Sequence, residues 1–248
     1  MSDPVYRPIV MTARTFFAGL GLRIDVAGEQ NIPRTGGAVL AINHTSYLDF
    51  ALGGIPADRV GHRLVRFMAK DGIFKHPVAG PLMRGMKHIP VDRDAGSAAF
   101  RDAVAALKSG ELVGVFPEAT MSRSLEIKEI KNGAVRMART ANVPLIPMII
   151  FGGHRLFSYN VKDFSRGKPI VMTVGEPIPV PRGADADVVT EELHARLEQL
   201  LDESIARYPD KPPGAWWIPA RLGGSAPTPE EAIAIEERVR QEKANRSD

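Results

Sequence analysis

Short apolar runs rich in valine and isoleucine alternate with amphipathic stretches along most of the chain. Glycine, proline or charged residues bound each run, a pattern typical of buried strands joined to helices. The alternation predicts a single-domain α/β fold with a mixed, mostly seven-stranded sheet flanked by helices. The predicted strands are Leu22–Ala27, Ala38–Ile42, Val65–Ala69, Lys87–Val91, Leu112–Phe116, Pro144–Ile150 and Ile170–Val174.

Apolar residues recur at helical spacing in the stretches between these strands. In Ser97–Lys108 they form one stripe, and Gly110 follows as a stop signal. A second helix is expected after Gly133 and a third that ends at Arg207, beginning near Val188, both with apolar faces that would cover the sheet.

The length of 248 residues allows one full core, which we divide into three parts. Residues 1–27 are expected to form an N-terminal apolar helix and the first strand, with a membrane contact as one interpretation. Residues 28–210 would form the main domain. Residues 211–248 predict a segment rich in proline and glycine that wraps over the surface, followed by a charged C-terminal helix.

The apolar stretch from Pro8 to Val26 is broken by Arg14, Arg23 and Asp25, so its uncharged part is too short to span about 30 Å of hydrocarbon. Basic residues inside the apolar stretch are also unlike a signal peptide. Two interpretations remain, a helix that lies in the membrane interface and a core helix packed on the sheet.

The charge balance limits the classes of partner. A formal net charge of +3 and a pI near 9.2 are too mildly basic for nucleic-acid binding and fit an anionic lipid surface or a phosphorylated substrate better. The chain has no cysteine, which excludes disulfides, thiolate zinc sites and a cysteine nucleophile. A cytoplasmic location is the simplest expectation.

The segment from Asn43 to Asp49 follows a predicted strand and leads into a helix. With Ser46 as the helix cap, Asp49 would reach back to one ring nitrogen of His44 and leave the other as a general base for a hydroxyl group. The same spacing also suits an ordinary capping box beside a surface histidine.

A second polar segment begins where Pro117 ends the strand before it. The loop would present Glu118, Thr120, Ser122 and Arg123 at the edge of the sheet, where binding residues are common, although an ordinary polar turn has the same composition.

Two further segments are less specific. Arg93, between Asp92 and Asp94, suits a phosphate site through its bidentate fork, or a solvated ion pair. The run Val143–Met148 contains two prolines and suits the packing of an edge strand.

Together and in this order, the four segments resemble the phospholipid and glycerol acyltransferase family, typified by 1-acylglycerol-3-phosphate acyltransferases. His44 and Asp49 match the family's motif of a histidine, four residues and an aspartate. Asp92-Arg93, Phe116–Glu118 and Val143–Pro147 match its second, third and fourth blocks.

The resemblance covers roughly residues 28–179 and implies a glycerolphosphate acyltransferase-like fold, with 28–210 as the acyltransferase domain. It implies that His44 is the general base and Asp49 its orienting partner. The third block departs from the family pattern, since Ala119 replaces a glycine and Met121 an arginine, and this leaves the acceptor open. The predicted substrate-binding residues are Lys70, Arg93, Glu118, Thr120 and Arg123.

The expected activity is transfer of a fatty acyl group from acyl-CoA or an acyl carrier protein thioester to a hydroxyl of a lysophosphatidate-like acceptor in phospholipid biosynthesis. Neither a metal nor a cofactor is expected, and the enzyme would associate peripherally with the inner face of the membrane. The alternatives are an inactive lipid-binding protein of the same fold and an acyltransferase for another lysolipid or a glycolipid. A serine hydrolase is disfavoured because no serine lies in a Gly-x-Ser-x-Gly elbow.

Overall fold

The computed structural model describes residues 5–92 and 96–245. A seven-stranded sheet with the order β1-β9-β6-β2-β5-β3-β4 forms its centre, and β7 and β8 form a separate two-stranded ribbon. The strands are β1 Arg23–Ala27, β2 Ala38–Ile42, β3 Val65–Lys70, β4 Ile89–Val91, β5 Leu112–Val115, β6 Leu145–Phe151, β7 Phe157–Ser158, β8 Val161–Lys162 and β9 Pro169–Val174.

Helices cover both faces of the sheet. The described α-helices are α1 Tyr6–Gly19, α2 Asp49–Gly53, α3 Ile55–Gly61, α4 Asp71–Phe74, α5 Ala79–Gly85, α6 Gly96–Lys108, α7 Gly133–Ala141, α8 Ala186–Arg207 and α9 Pro229–Ala244.

The sheet is mixed, as predicted. Within the seven-stranded sheet, neighbouring strands pair in parallel except β6 and β9, which are antiparallel. The central strands β2 and β6 are buried along their whole length, which explains why both read as continuous apolar runs rather than as alternating ones.

Two apolar layers separate the sheet from the helices. On one face, α6, α7 and α8 pack through residues such as Leu107, Val135 and Leu197. On the other face, the layer contains Phe17 of α1 and Leu52 of α2. The apolar stripes predicted from helical spacing therefore do face the sheet.

All seven predicted strands are present, with ends that differ by at most two residues. The largest shift is at β4, which begins at Ile89 rather than Lys87, because Lys87 adopts a left-handed conformation with φ 55°. The sequence did not indicate α3, α4, α5, β7 or β8, which are two to seven residues long.

The interpretation of Val143–Met148 as an edge strand is wrong. This run forms the start of β6, which lies between β9 and β2 in the middle of the sheet. The amide of Leu145 points to the β9 side and donates to Ile178, and Pro147, two residues later, has the same direction. The last β9 residue paired with β6 is Val174, opposite Met148, so Pro147 lies where no ladder donor is needed.

Helix α1 packs against the body of the protein through its two ends. Tyr6 and Phe17 are buried, and the Tyr6 hydroxyl donates to the carbonyl of Val65 at 2.6 Å. Met11 and Phe16 on its outer side remain exposed. Among the described residues, no helix combines the length and the apolar character needed to cross a membrane.

Candidate active site

The carboxyl ends of four parallel strands, β2, β5, β3 and β4, meet at one edge of the sheet. His44 follows β2, Glu118 follows β5 and Lys70 ends β3. Arg93, predicted as a phosphate ligand beyond β4, lies outside the described residues. Groups placed at this edge of an open α/β sheet commonly bind the ligand.

His44 and Asp49 are in direct contact, as the motif suggested. The Nδ1 atom of His44 lies 3.0 Å from Oδ2 of Asp49. The same oxygen accepts hydrogen bonds from the backbone amides of Thr45 and Ser46, each at 2.7 Å. Burial raises the pKa of Asp49, while the hydrogen bonds from His44 and the two amides act in the opposite direction.

The arrangement defines which imidazole nitrogen is available. An ionised Asp49 can only accept, so Nδ1 of His44 carries the hydrogen and Nε2 is the basic nitrogen. The imidazole stacks on Phe116 with ring centroids 4.3 Å apart, and 22% of the His44 side chain is exposed. Within the described part of the chain, no hydrogen bond occupies Nε2. The geometry therefore suits a general base.

Ser46 does not cap α2, contrary to the prediction. The helix begins at Asp49, with Leu48 in the cap position. The Ser46 hydroxyl accepts from the Leu48 amide at 3.1 Å and contacts the carbonyl oxygens of Gly153 and Phe157 at 3.0 and 2.8 Å. The Asp49 carboxylate accepts from the Thr45 and Ser46 amides that precede the helix. The Ser46 hydroxyl instead connects this turn to the segment after β6.

Glu118 is buried beneath the histidine. Its Oε1 accepts from the backbone amide of His44 at 2.8 Å, and its Oε2 accepts from the amide of Lys128 at 3.1 Å. Burial raises the pKa of Glu118 to about 8, against the effect of those two amides and of the Lys128 charge. Both carboxyl oxygens of Glu118 thus accept from backbone amides, and the side chain links the loop after β2 to the loop after β5.

Lys128 holds the loop after β5 through its side chain. Its Nζ donates to Oγ1 of Thr120 at 2.8 Å and forms an ion pair with Glu236 of α9, also at 2.8 Å. Sequence reasoning assigned no role to Lys128 or Glu236. They are 108 positions apart, and only the fold brings them together.

Arg123 lies over an aromatic group at the side of the site. Its guanidinium is 3.7 Å from the centroid of the Tyr159 ring, a cation–π contact. Tyr159 belongs to a cluster with Tyr47 and Phe157 on and beside the β7–β8 ribbon. A sequence signal that could have indicated this ribbon is the turn residue Asn160, which adopts φ 59°.

Lys70 is exposed at the end of β3 and pairs in register with Val91 of β4. The structure thus gathers His44, Asp49, Glu118, Thr120 and the Arg123 loop around β2 and β5, with Lys70 further along the same edge.

A family model described as Acyltransferase matches residues 23–151, just over half of the chain. The chain belongs to the acyltransferase family. This membership confirms the resemblance seen in the four blocks, all of which lie inside the matched range, and the expectation of an O-acyltransferase.

Relatives of this acyltransferase include named enzymes. It is 28% identical over 187 residues to the 1-acyl-sn-glycerol-3-phosphate acyltransferase of Bacillus subtilis, a match that covers 71% of this chain and 87% of that protein. It is 27% identical to the chloroplastic 1-acyl-sn-glycerol-3-phosphate acyltransferase LPAT1 of Arabidopsis thaliana, of which it spans about half, with 73% of this chain and 49% of that protein covered. An uncharacterized acyltransferase of Schizosaccharomyces pombe is 30% identical, with 77% of this chain and 68% of that protein covered.

The fold of the acyltransferase is similar to that in the crystal structure of the 1-acyl-sn-glycerophosphate acyltransferase PlsC from Thermotoga maritima. The TM-score is 0.66 at 24% sequence identity, with 81% of this chain and 80% of that chain covered. The similarity confirms the predicted glycerolphosphate acyltransferase-like fold.

Proposed function

We propose that this acyltransferase moves a fatty acyl group from a thioester of coenzyme A or acyl carrier protein to a hydroxyl of a lysophosphatidate-like acceptor. The contact between His44 and Asp49 at the sheet edge, with Nε2 of the imidazole unoccupied among the described residues, carries the proposal. The names of the Bacillus subtilis and Arabidopsis thaliana relatives support the choice of acceptor.

In the proposed reaction, the acceptor oxygen attacks the thioester carbonyl while Nε2 of His44 takes the hydroxyl proton. Asp49 stabilises the imidazolium that forms. When the tetrahedral intermediate collapses, the C–S bond breaks and the imidazolium returns the proton to the leaving sulfur. The products are the ester and a free thiol, and the enzyme is unchanged.

The transfer would be direct, without an acyl-enzyme. The chain has no cysteine, and the serines of the two motif segments have other partners. Ser46 contacts two carbonyl oxygens, and the Ser122 and Ser124 hydroxyls lie 3.1 Å apart. A sequential scheme follows, in which donor and acceptor bind together. Initial-rate lines that stay parallel as the second substrate is varied would contradict it.

Lys70 and Arg93 are the proposed ligands of the acceptor phosphate. The exposed ammonium of Lys70 at the carboxyl end of β3 is a suitable anion contact. Because the contact would exist in both ground and transition states, Lys70→Ala should mainly raise KM. Replacement of Lys162, an exposed lysine on β8, by alanine is a matched control.

A cavity of about 490 Å³ between α1, α2 and α3 is the proposed site of the donor acyl chain. Its lining includes Phe17, Phe50, Ala51 and Ile55, and Phe50 directly follows Asp49. This size is within the range of ligand pockets. Ala51→Phe should shift the preference toward shorter acyl-CoA chains, whereas Ala105→Phe, on the exposed side of α6, should not.

The deciding experiment is mass spectrometry of products after the pure protein is mixed with acyl-CoA and a panel of lysophospholipids. We expect transfer to lysophosphatidate, weaker transfer to the same lipid without its phosphate, and none by His44→Ala. No transfer by the wild type to any acceptor would favour a lipid-binding protein. Preference for another lysolipid or a glycolipid would keep the chemistry and change the acceptor.

The proposal includes a cytoplasmic enzyme at the inner face of the membrane, where long-chain substrates reside.

A further inference from the structure

Two short helices between β3 and β4 carry a dense group of exposed apolar side chains. Ile73 of α4 is 44% exposed, Val78 67% and Leu82 of α5 45%. The inner side of the same segment is also apolar, since Phe74 and Met83 are buried. These three exposed apolar side chains fall within ten residues of chain, and grouped exposed apolar side chains mark interaction surfaces.

α4, α5 and the start of α1 form one packed unit. The guanidinium of Arg84 donates to the carbonyl of Phe74 at 2.6 Å. A Cβ atom on Gly80 would lie 2.2 Å from that carbonyl oxygen, and one on Gly85 would lie 2.6 Å from the side chain of Val5. Val5 is itself 39% exposed. We call Val5, Ile73, Val78 and Leu82 the α4–α5 surface.

The segment that carries this surface is basic. Residues 70–88 contain four basic side chains and one acidic side chain, a net charge of +3 that equals the formal charge of the whole chain. Apolar side chains accompanied by lysine and arginine suit a bilayer with anionic headgroups, because insertion and electrostatic attraction add. The charged residues are Lys70, Asp71, Lys75, Arg84 and Lys87.

The surface is continuous with the proposed substrate sites. Lys70, the proposed phosphate contact, immediately precedes α4. Beneath the surface, a small apolar cluster contains Tyr6, Ile9 and Met86, and the same three residues line the cavity proposed for the acyl chain. A bilayer in contact with this surface would therefore lie beside both sites.

We propose that the α4–α5 surface docks the enzyme on an anionic phospholipid bilayer. Val78 and Leu82 enter the headgroup region, and Arg84 and Lys75, the second of which also pairs with Asp71, contact lipid phosphates. The proposal rests on the proposed function in one respect, since a long-chain acceptor and product reside in the bilayer. It differs from docking through the outer side of α1, where Met11 and Phe16 are exposed.

The test compares two triple variants of the full chain with matched exposure. One is Ile73→Ser, Val78→Ser and Leu82→Ser. The control is Val188→Ser, Leu222→Ser and Ile233→Ser, at positions that are 62%, 45% and 58% exposed elsewhere on the molecule. Co-sedimentation is measured with vesicles of phosphatidylglycerol and of phosphatidylcholine, at low and high salt. Val78→Asp alone serves if the triple variant fails to fold.

We expect the α4–α5 variant to bind phosphatidylglycerol vesicles at least about tenfold more weakly than wild type. The control should bind as wild type, and salt should weaken wild-type binding. Equal binding by both triple variants would overturn the proposal, as would loss of binding only on Met11→Ser with Phe16→Ser. A change in oligomeric state of the α4–α5 variant, with unchanged vesicle binding, would assign the surface to a second copy of the chain.

Activity separates this proposal from the proposed function. The α4–α5 variant should acylate a short-chain lysophosphatidate dispersed in solution as wild type does, but acylate a long-chain acceptor in vesicles more slowly. Loss of both activities to the same degree would overturn the docking role. If wild type transfers to no acceptor, the proposed function fails, while vesicle binding still decides the docking surface.

Discussion

At the scale of single residues, Asp49 determines what His44 can do. One carboxylate oxygen binds Nδ1 of His44 and two backbone amides, so a single side chain sets both the imidazole tautomer and the shape of the turn. Asp49→Asn retains the size of the side chain and removes the charge that stabilises an imidazolium.

We predict that Asp49→Asn lowers kcat by about 10³- to 10⁴-fold, the effect seen when an orienting carboxylate is replaced in a comparable catalytic unit. The melting temperature should change far less than kcat, because two amides can still donate to the Asn oxygen. Steady-state kinetics and thermal unfolding on the same preparation check this. A variant with more than about a tenth of wild-type kcat would remove Asp49 from catalysis.

Ala119 has a backbone conformation that is unfavourable for a residue with a Cβ atom. It adopts φ 61°, a left-handed conformation that glycine accepts without strain. We predict that Ala119→Gly raises the free energy of unfolding by about 0.5 to 1 kcal/mol, because relief of a left-handed penalty of roughly 1–2 kcal/mol exceeds the roughly 0.4–1 kcal/mol of entropy that glycine adds to the unfolded chain. Urea unfolding measures it. Ala105→Gly, in the exposed part of α6, is the control and should destabilise by about 1 kcal/mol.

The sequence located part of the site because that part is local. Asp49 lies only five positions after His44 in the sequence, so the motif spacing was sufficient to predict their contact. Glu118 is 74 positions from His44; the sequence placed it at the same edge but not in contact with the His44 amide. Asn43, whose side chain bonds both ways with Ile150 of β6, was not singled out, because a buried amide pair leaves no periodic signal.

At the scale of elements, the C-terminal helix α9 reaches back to the loop after β5. Glu236 pairs with Lys128, which also donates to Thr120, while the Lys128 amide donates to the buried Glu118. The loop that carries the third motif block is thus held from outside the range of the family match, which ends at residue 151.

We predict that Glu236→Gln loosens this loop and lowers kcat/KM two- to fivefold, on the order of the 0.2–1 kcal/mol that partly exposed ion pairs contribute. High salt should reduce the difference between variant and wild type. Glu237→Gln, the exposed neighbour on α9, is the matched control. Equal effects of the two substitutions, measured over a series of salt concentrations, would show that the Lys128 pair is not involved.

Helices long enough to repeat their hydrophobic pattern several times were predictable from the sequence, and the short elements were not. α6 and α8 show several repeats of an apolar stripe, while α4 has four residues, less than two turns, and no period to detect. The place of β6 in the sheet was misjudged for a different reason. The two prolines in its sequence suggested an edge strand. However, a proline is tolerated wherever its position needs no amide donor for the ladder, even in a central strand.

At the scale of the whole molecule, Glu118, His88 and His154 are buried groups through which stability depends on pH. Burial raises the pKa of Glu118 from 4.5 to about 8 and lowers the pKa values of His88 and His154 from 6.5 to about 4. Between pH 4.5 and 8, folded Glu118 keeps a proton that the unfolded chain releases, so stability falls as pH rises. Between pH 4 and 6.5, the unfolded histidines bind protons that the folded ones do not, so stability rises with pH.

Since the two histidines act only below pH 6.5, whereas Glu118 acts up to about pH 8, we predict that the free energy of unfolding declines from pH 6.5 to 8. It should fall by about 2 kcal/mol between pH 6.5 and 8, since each pH unit contributes about 1.4 kcal/mol per proton. Glu118→Gln should abolish this decline, even if the loss of one amide hydrogen bond lowers stability at every pH, because glutamine does not titrate. Urea unfolding at a series of pH values measures the slope for wild type, Glu118→Gln and the exposed control Glu237→Gln. A decline above pH 6.5 that is as steep in Glu118→Gln as in wild type would show that another group releases the proton, and Glu118 would then be ionised beneath His44 at neutral pH.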